Sequence, residues 1–358
     1  MGSEAARSAR VFLVGTGVVG SAVLAIAQGS RPPAGLELAG VANTRGRRLA
    51  DRDGSLSESE TRAIVTAPSG GAPIEVDDAV LDELATQEHP VLVDATAADG
   101  MEDLYVRALE RGIHVVTANK KPLAAPWPRR QRLFDETRRA RGARFRYEAT
   151  VGAGLPVIET LKDLVRTGDR VWRIECVLSG TLGFVANEIH AGTPLSRAVA
   201  IAKDRGYTEP DPREDLGGKD VARKVVVLAR ELGSELELGD VDLQPFVPES
   251  VTDLRELDAE LGARVARLRT RGEKLVYLAR IDVETDAGRG THRVRASAGP
   301  VVVPLEHPAA TLGGSSALVA FTTARYDRDP LVVRGSGAGG AVTASALFAD
   351  VLKVTGQA

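Results

Sequence analysis

The run Arg10-Val11-Phe12-Leu13-Val14-Gly15 is β-branched and aromatic and ends in glycine, the pattern of a strand buried on both faces of a parallel sheet. A helical pattern from about Val18 to Gln28 follows it. Further buried strands are expected at Leu36 to Val41, Pro90 to Thr96 and Ile113 to Ala118, with a helix from Met101 to Glu110 between the last two. Strand alternating with helix predicts a parallel sheet. The polar stretch from Thr44 to Glu88 is longer than most connections, and it predicts a helix around Asp77 to Gln87 and a mobile loop near Pro68-Ser69-Gly70-Gly71.

After about Tyr147 the pattern changes. Strand-like runs at Val171 to Leu178, Lys274 to Val283, Thr291 to Ala298 and Leu318 to Tyr326 lie between helical segments without regular alternation, which predicts a mixed or antiparallel sheet covered by helices. The alanine-rich helix expected at Ala341 to Val354 has no place in that second sheet, so its return to the first domain is expected. The expected division is 1–147, 148–334 and a returning helix in 335–358. A chain of 358 residues exceeds what one core usually supports, in keeping with two domains.

Composition narrows the function. Hydrophobic residues make up 43% and charged residues 27%, an ordinary globular balance, and the net charge of −3 gives no basic field to concentrate nucleic acid or acidic lipid. A small-molecule substrate is expected. The single cysteine, Cys176, excludes an intrachain disulfide framework, and the apolar run Val11 to Val14 behind a short polar start is too short for a signal peptide or a membrane span. A cytoplasmic protein is expected.

Gly15-Thr16-Gly17-Val18-Val19-Gly20 matches GxGxxG between the first strand and the first helix. There the first glycine permits a tight turn, the second lets backbone N–H groups approach a pyrophosphate, and the third allows close helix packing, while the helix N-terminus favours the anion. The first domain therefore reads as a Rossmann-type nucleotide domain. At the end of the second strand, where an NAD site usually carries an acid for the ribose 2′-hydroxyl, this chain has Asn43-Thr44-Arg45-Gly46-Arg47. Asn43 with Arg45, and in addition Arg47, could accept a 2′-phosphate, although arginines on a solvated loop read the same way. The cofactor leans to NADP and leaves NAD open.

The block from Gly206 to Lys224 begins as a proline- and glycine-rich loop and continues as a helix from Asp220 to about Glu231. Asp220 and Lys224 lie four apart, on one helical face. A lysine held by a carboxylate and aimed at a carbonyl can protonate the oxygen as hydride arrives at carbon, although a surface ion pair has the same spacing. Glu209 and Asp215 upstream could pair with a substrate ammonium. Lys120, in Thr117-Ala118-Asn119-Lys120-Lys121-Pro122, follows the fourth strand at the edge where open parallel sheets bind ligands.

Together these blocks resemble homoserine dehydrogenase of the short form without a regulatory domain. The resemblance rests on GTGVVG at Gly15, TANKKP at Thr117, EATVGAGLPVI at Glu148, SGTLGF at Ser179, GYTEPDPREDLGGKDVARK at Gly206 and GSGAGGAVTASALFADVLK at Gly335, and it covers nearly the whole chain. It implies an α+β second domain with a mixed sheet that binds substrate and forms a homodimer. It implies that NAD(P)H-dependent reduction of L-aspartate 4-semialdehyde to L-homoserine uses Lys224 as proton donor, with Lys120 beside it, Asp220 orienting the reacting groups, and Glu209 and Asp215 on the ammonium. Cofactor contacts are implied at Gly15 to Gly20, Asn43, Arg45, Thr96, Lys120, Gly206, Gly337 and Gly339. A monovalent cation, sodium in most relatives, is implied on backbone oxygens of Glu148, Val151, Ala153 and Leu155. The third strand continues Ala95-Thr96-Ala97-Ala98 where relatives often have more serines, so only Thr96 is carried over. No threonine-sensing domain or fused aspartate kinase is expected.

Two rivals are open. An acylating aldehyde dehydrogenase shares the domain order and needs a cysteine nucleophile with a histidine base, but Cys176 falls inside an apolar strand pattern and reads as buried and inert. His89, His114 and His190 show no metal-ligand spacing. A regulator that binds the nucleotide without turnover is the other.

Overall fold

The structure, a computed structural model, describes residues 8–29, 35–51, 54–67, 74–140, 142–286 and 291–356; the loop expected near Pro68 to Gly71 lies outside them. The chain divides into two compact units, Met1–Gly154 with Gly339–Ala358, and Leu155–Ala338.

In the first unit the elements run β1 (Ala9–Val14), α1 (Val18–Ala27), β2 (Leu36–Asn43), β3 (Gly46–Leu49), α2 (Glu58–Thr66), α3 (Asp78–Ala85), β4 (Pro90–Asp94), α4 (Glu102–Glu110), β5 (His114–Thr117), α5 (Trp127–Arg139) and β6 (Phe145–Arg146). The sheet order is β3-β2-β1-β4-β5-β6. All neighbours are parallel except β2 and β3, which form an antiparallel hairpin. β1 is buried at every residue, as its uninterrupted apolar run demands. Gly40 of β2 faces the Phe12 ring, where a Cβ would come within 2.5 Å of a ring carbon, so glycine is what lets the phenylalanine fill the space. β1 bonds β2 on one side and β4 on the other, so the strand order reverses at its carboxyl end. Ligands of such sheets bind at that reversal.

His114 opens β5, and its Nδ1 accepts the Arg144 N–H at 3.0 Å. Burial, reinforced by the charges of Arg144 and His89, pushes its pKa down from 6.5 to about 4. Below pH 6.5 the unfolded chain takes up a proton that the native ring refuses until about pH 4, so stability is lost as pH falls through this window. The acid limb of urea unfolding between pH 7 and pH 4.5 will therefore flatten in His114→Asn by about 2 kcal/mol. An unchanged limb would mean that the ring is protonated normally in the native protein.

The second unit continues with α6 (Ile158–Arg166), β7 (Val171–Val177), α7 (Gly180–Ala191), α8 (Leu195–Asp204), α9 (Pro212–Leu216), α10 (Lys219–Glu231), β8 (Asp242–Leu243), α11 (Asp258–Thr270), β9 (Glu273–Asp286), β10 (Thr291–Pro304), β11 (Ser316–Thr323) and β12 (Leu331–Ser336). Its sheet, in the order β12-β11-β7-β9-β10-β8, is antiparallel apart from the β8–β10 pair. The expected pairing of a nucleotide-domain sheet with a mixed-sheet α+β domain is borne out, and β3 makes the first sheet mixed as well. The expected loop before Lys219 contains one short helix, α9, because Asp211 caps the Arg213 N–H at 3.0 Å and Pro212 occupies the first helical position.

The last helix, α12 (Gly340–Thr355), belongs to the first unit, where Ala344, Leu347, Phe348, Val351 and Val354 join Val11, Leu13 and Val23 in one core. Gly340 lets it approach α1, since a Cβ there would lie 2.8 Å from the Val18 carbonyl oxygen.

Candidate active site

Each glycine of the first turn has its own physical reason. Gly15 has φ +92°, and a Cβ on it would lie 2.6 Å from the Thr96 methyl. A Cβ on Gly20 would lie 2.0 Å from the Gly15 carbonyl oxygen, so this residue sets how closely α1 packs on its own turn. At Gly17 a Cβ would meet nothing within 4 Å, and φ is −71°, open to any residue. Neither packing nor backbone conformation demands glycine there. A ligand approaching the backbone would, and Gly17 caps α1 with no side chain bonded to the helix N-terminus. Val18 is 79% exposed beside it, with Val19 half-buried behind. The turn thus fits a pyrophosphate.

Thr16 is tied to the end of β2, since its hydroxyl accepts the Asn43 amide at 2.8 Å. Asn43 is buried, and its Oδ1 accepts the N–H groups of Arg45 (2.7 Å) and Gly46 (3.2 Å), closing the β2–β3 hairpin. The amide therefore holds the turn and the glycine loop together. Arg45 sits exposed at the hairpin tip, whereas Arg47 is paired with Asp77 at 2.7 Å.

At the carboxyl ends of β4 and β5 lies a polar cluster that sequence reasoning missed. Asp94 is fully buried, and its carboxylate accepts the Thr96 N–H (2.7 Å), the Asn119 amide (3.2 Å) and the Tyr105 hydroxyl. Burial raises its pKa despite these donors. The Asn119 amide also donates to the Ala98 carbonyl at 2.8 Å, and the Thr117 hydroxyl accepts the Asn119 N–H at 2.8 Å and lies 2.9 Å from the Tyr105 hydroxyl. Thr96 and Lys120 are half-buried on the two loops thus held, and the Lys120 carbonyl starts the next turn by accepting the Ala124 N–H at 3.0 Å.

In the second unit, the Lys224 ammonium donates to Asp220 Oδ2 at 2.8 Å and to the Leu178 carbonyl at 2.7 Å. The lysine side chain is 14% exposed and the aspartate 44%. An ammonium has three donors; two are engaged among the described residues, which leaves one for a carbonyl oxygen. α10, which carries the pair, starts at Gly218 with φ +72°, where a Cβ would lie 2.0 Å from the Tyr277 hydroxyl. That hydroxyl donates to the Gln244 carbonyl at 2.9 Å, and burial raises the Tyr277 pKa to about 12, so it stays a neutral stop against the helix start.

Asp215 accepts the Glu209 N–H at 2.8 Å and the Thr181 hydroxyl at 3.2 Å, while that hydroxyl also donates to the Tyr207 carbonyl. Burial first, then the charges of Asp220 and Glu214, raise the Asp215 pKa. Asp215 therefore fixes the backbone that presents the exposed Glu209 side chain. Thr181 was not singled out from sequence, although it lies within SGTLGF. Gly206, with φ +69°, ends α8 in the left-handed conformation that turns the chain into this loop. A Cβ on Gly337 would lie 2.0 Å from the Ala317 Cβ, and Gly339 has φ +120° just before α12.

The segment carrying Glu148, Val151 and Ala153 is buried and sharply turned, with Gly152 at φ +82° and Ala153 at φ +56°. A non-glycine residue there costs about 1–2 kcal/mol, so the surroundings hold this turn in place. The Asp350 carboxylate of α12 accepts the Glu148 N–H at 3.0 Å. Leu155 is half-buried, and its carbonyl accepts the Val157 N–H at 2.9 Å. Cys176 is fully buried in β7, and burial pushes its thiol up to about 12, so no thiolate is available for acyl transfer.

A dinucleotide turn at a sheet reversal, followed in one chain by a carboxylate-held lysine on a mixed-sheet unit, defines a two-domain NAD(P)-dependent oxidoreductase. The family model for homoserine dehydrogenase matches residues 156–352, and the model for its NAD-binding domain matches residues 15–148. The chain belongs to the homoserine dehydrogenase family. It is 34% identical over 374 residues to homoserine dehydrogenase of Schizosaccharomyces pombe, covering 99% of this chain and 97% of that one. It is 39% identical to bifunctional aspartokinase/homoserine dehydrogenase 1 of Zea mays over 89% of this chain, but spans only 35% of that relative's length. Among solved structures, a Candida auris protein of unknown function is 32% identical with TM-score 0.84 over 98% of this chain and 99% of that one. A hyperthermophilic archaeal homoserine dehydrogenase mutant in complex with NADPH is 26% identical with TM-score 0.73 over 98% of each chain.

Proposed function

We propose that the protein reduces L-aspartate 4-semialdehyde reversibly to L-homoserine, in threonine and methionine biosynthesis, with Lys224 as proton donor to the aldehyde oxygen. The observation that carries this reading is the Lys224 ammonium fixed by Asp220 and the Leu178 carbonyl, with a donor remaining for the substrate. Glu209, on a backbone set by Asp215, supplies the negative charge for the substrate ammonium, and Asp220 orients the reacting groups. Gly15 to Gly20 hold the pyrophosphate, and Arg45, exposed at the hairpin tip, favours a 2′-phosphate and hence NADP over NAD. The dinucleotide supplies the hydride. Thr96 and Lys120 complete its site in this reading, with Gly206, Gly337 and Gly339 as backbone approaches. Positioning by these residues contributes most of the rate, since bound reactants no longer search for each other.

The same reading includes sodium on the backbone oxygens of Glu148, Val151, Ala153 and Leu155, supported by the held turn at Ala153, and a cytoplasmic homodimer acting on small molecules. No described helix is long and apolar enough to cross a membrane. The test is homoserine-dependent reduction of NADP⁺ and of NAD⁺, followed by absorbance. Reduction with preference for NADP⁺ is expected. Tight nucleotide binding with no turnover of either would replace this reading by that of a nucleotide sensor.

A further inference from the structure

The buried cluster behind the β4 and β5 loops is more elaborate than a strand end requires. Asp94 is 0% exposed and accepts three donors, from Thr96, Tyr105 and Asn119. These donors come from three places in the chain: the loop after β4, the middle of α4 and the loop after β5. Tyr105 is also 0% exposed, and its hydroxyl serves Asp94 and Thr117 together. Asn119, 2% exposed, ties Asp94 to Ala98 with its amide and accepts the Lys121 N–H at 3.1 Å. Burying so many polar groups stabilises little in net terms, because each exchanges a bond to water for a bond to protein. Its effect is geometric: the loop at 95–98 and the loop at 118–121 are fixed to each other through the Asp94 carboxylate and the Asn119 amide.

Where those loops lie gives the effect its meaning. A doubly wound sheet is built of two mononucleotide-binding halves that meet at the reversal of strand order. Here β1, β2 and β3 form one half, with the glycine turn and the hairpin arginine; β4, β5 and β6 form the other. The adenosine side of a dinucleotide falls to the first half, so the two loops clamped by Asp94 serve the second nucleotide, which carries the nicotinamide.

We propose that Tyr105, acting through Asp94 and Asn119, is a positioning residue that fixes the spacing of the Thr96 and Lys120 loops and thereby orders the nicotinamide nucleotide, without contributing to the adenosine side. The proposal rests on the dinucleotide reading of the first unit. Phenylalanine at position 105 keeps the ring and its contact with Phe145 and removes only the oxygen.

The test compares NADPH with adenosine 2′,5′-bisphosphate, the same dinucleotide without its nicotinamide nucleotide, as ligands of the protein. In Tyr105→Phe, NADPH affinity is expected to fall about tenfold, as for loss of a buried bond to a charged group, while adenosine 2′,5′-bisphosphate affinity stays within about twofold of wild type. A merely structural role would weaken both ligands alike or neither, and either result overturns the proposal. Should Tyr105→Phe fail to fold, Thr117→Val decides: it removes the hydroxyl that joins Tyr105 to the Asn119 backbone and suits a strand end, and the same selective loss is expected, about threefold. Equal effects of Thr117→Val on the two ligands overturn the proposal. If wild type binds neither ligand, it is the dinucleotide reading that fails.

Discussion

Lys224→Ala is expected to lower kcat by about a thousandfold, the middle of the range for a positioned general acid, while leaving NADPH affinity unchanged. The variant should fold. Asp220 is 44% exposed and can be solvated when its partner is gone, so the loss to stability is confined to the Leu178 carbonyl bond, about 1 kcal/mol. A thousandfold corresponds to about 4 kcal/mol of transition-state stabilisation. Lys224→Arg separates charge from proton transfer: guanidinium keeps the positive charge but does not release a proton at ordinary pH, so it should rescue little turnover. Near-normal kcat in either variant would remove Lys224 from the chemistry.

The glycine turn gives the second large effect, and it separates binding from folding at positions three residues apart. Gly17→Val introduces a side chain where a Cβ meets nothing within 4 Å and φ is −71°, so the melting temperature should hardly move. The added methyls occupy the space a pyrophosphate needs, and NADPH affinity should fall at least about thirtyfold. Gly20→Ala acts the other way, because its Cβ would lie 2.0 Å from the Gly15 carbonyl oxygen. Relieving that clash shifts α1 off its turn at a cost of about 3 kcal/mol, visible as a lower melting temperature without ligand. Wild-type NADPH affinity in Gly17→Val, measured by titration, would show that the open space belongs to no ligand.

What the sequence makes legible follows from which interactions are local. β1 and its turn stand out because a fully buried parallel strand is apolar at every position, and the Asp220–Lys224 pair because helical spacing alone brings its members together. α5 was not singled out: its face is largely charged, and its buried Arg130 is accommodated by stacking, 4.0 Å from the Phe134 ring centre. β3, Gly46-Arg47-Arg48-Leu49, is exposed or half-exposed along its length and lacks an apolar signature, and in β12 the apolar run is only Leu331-Val332-Val333 before Arg334-Gly335-Ser336. The cluster of Asp94, Tyr105, Thr117 and Asn119 is assembled by parallel strand pairing and a crossover helix, and no periodicity along the chain encodes such a meeting. Thr181 and Asp215, 34 positions apart, were missed as a pair for the same reason.

The threading of α12 bears on the order in which the protein is made. Strands β1 and β2 are synthesised before the second unit, yet part of the apolar surface that covers them is carried by residues of α12, some three hundred positions later. The second unit is continuous from Leu155 to Ala338 and has all its residues before that helix is synthesised. The unit that begins first therefore finishes last, and in the interval its longest apolar strands stand without their cover, which is when wrong pairing between nascent chains threatens most.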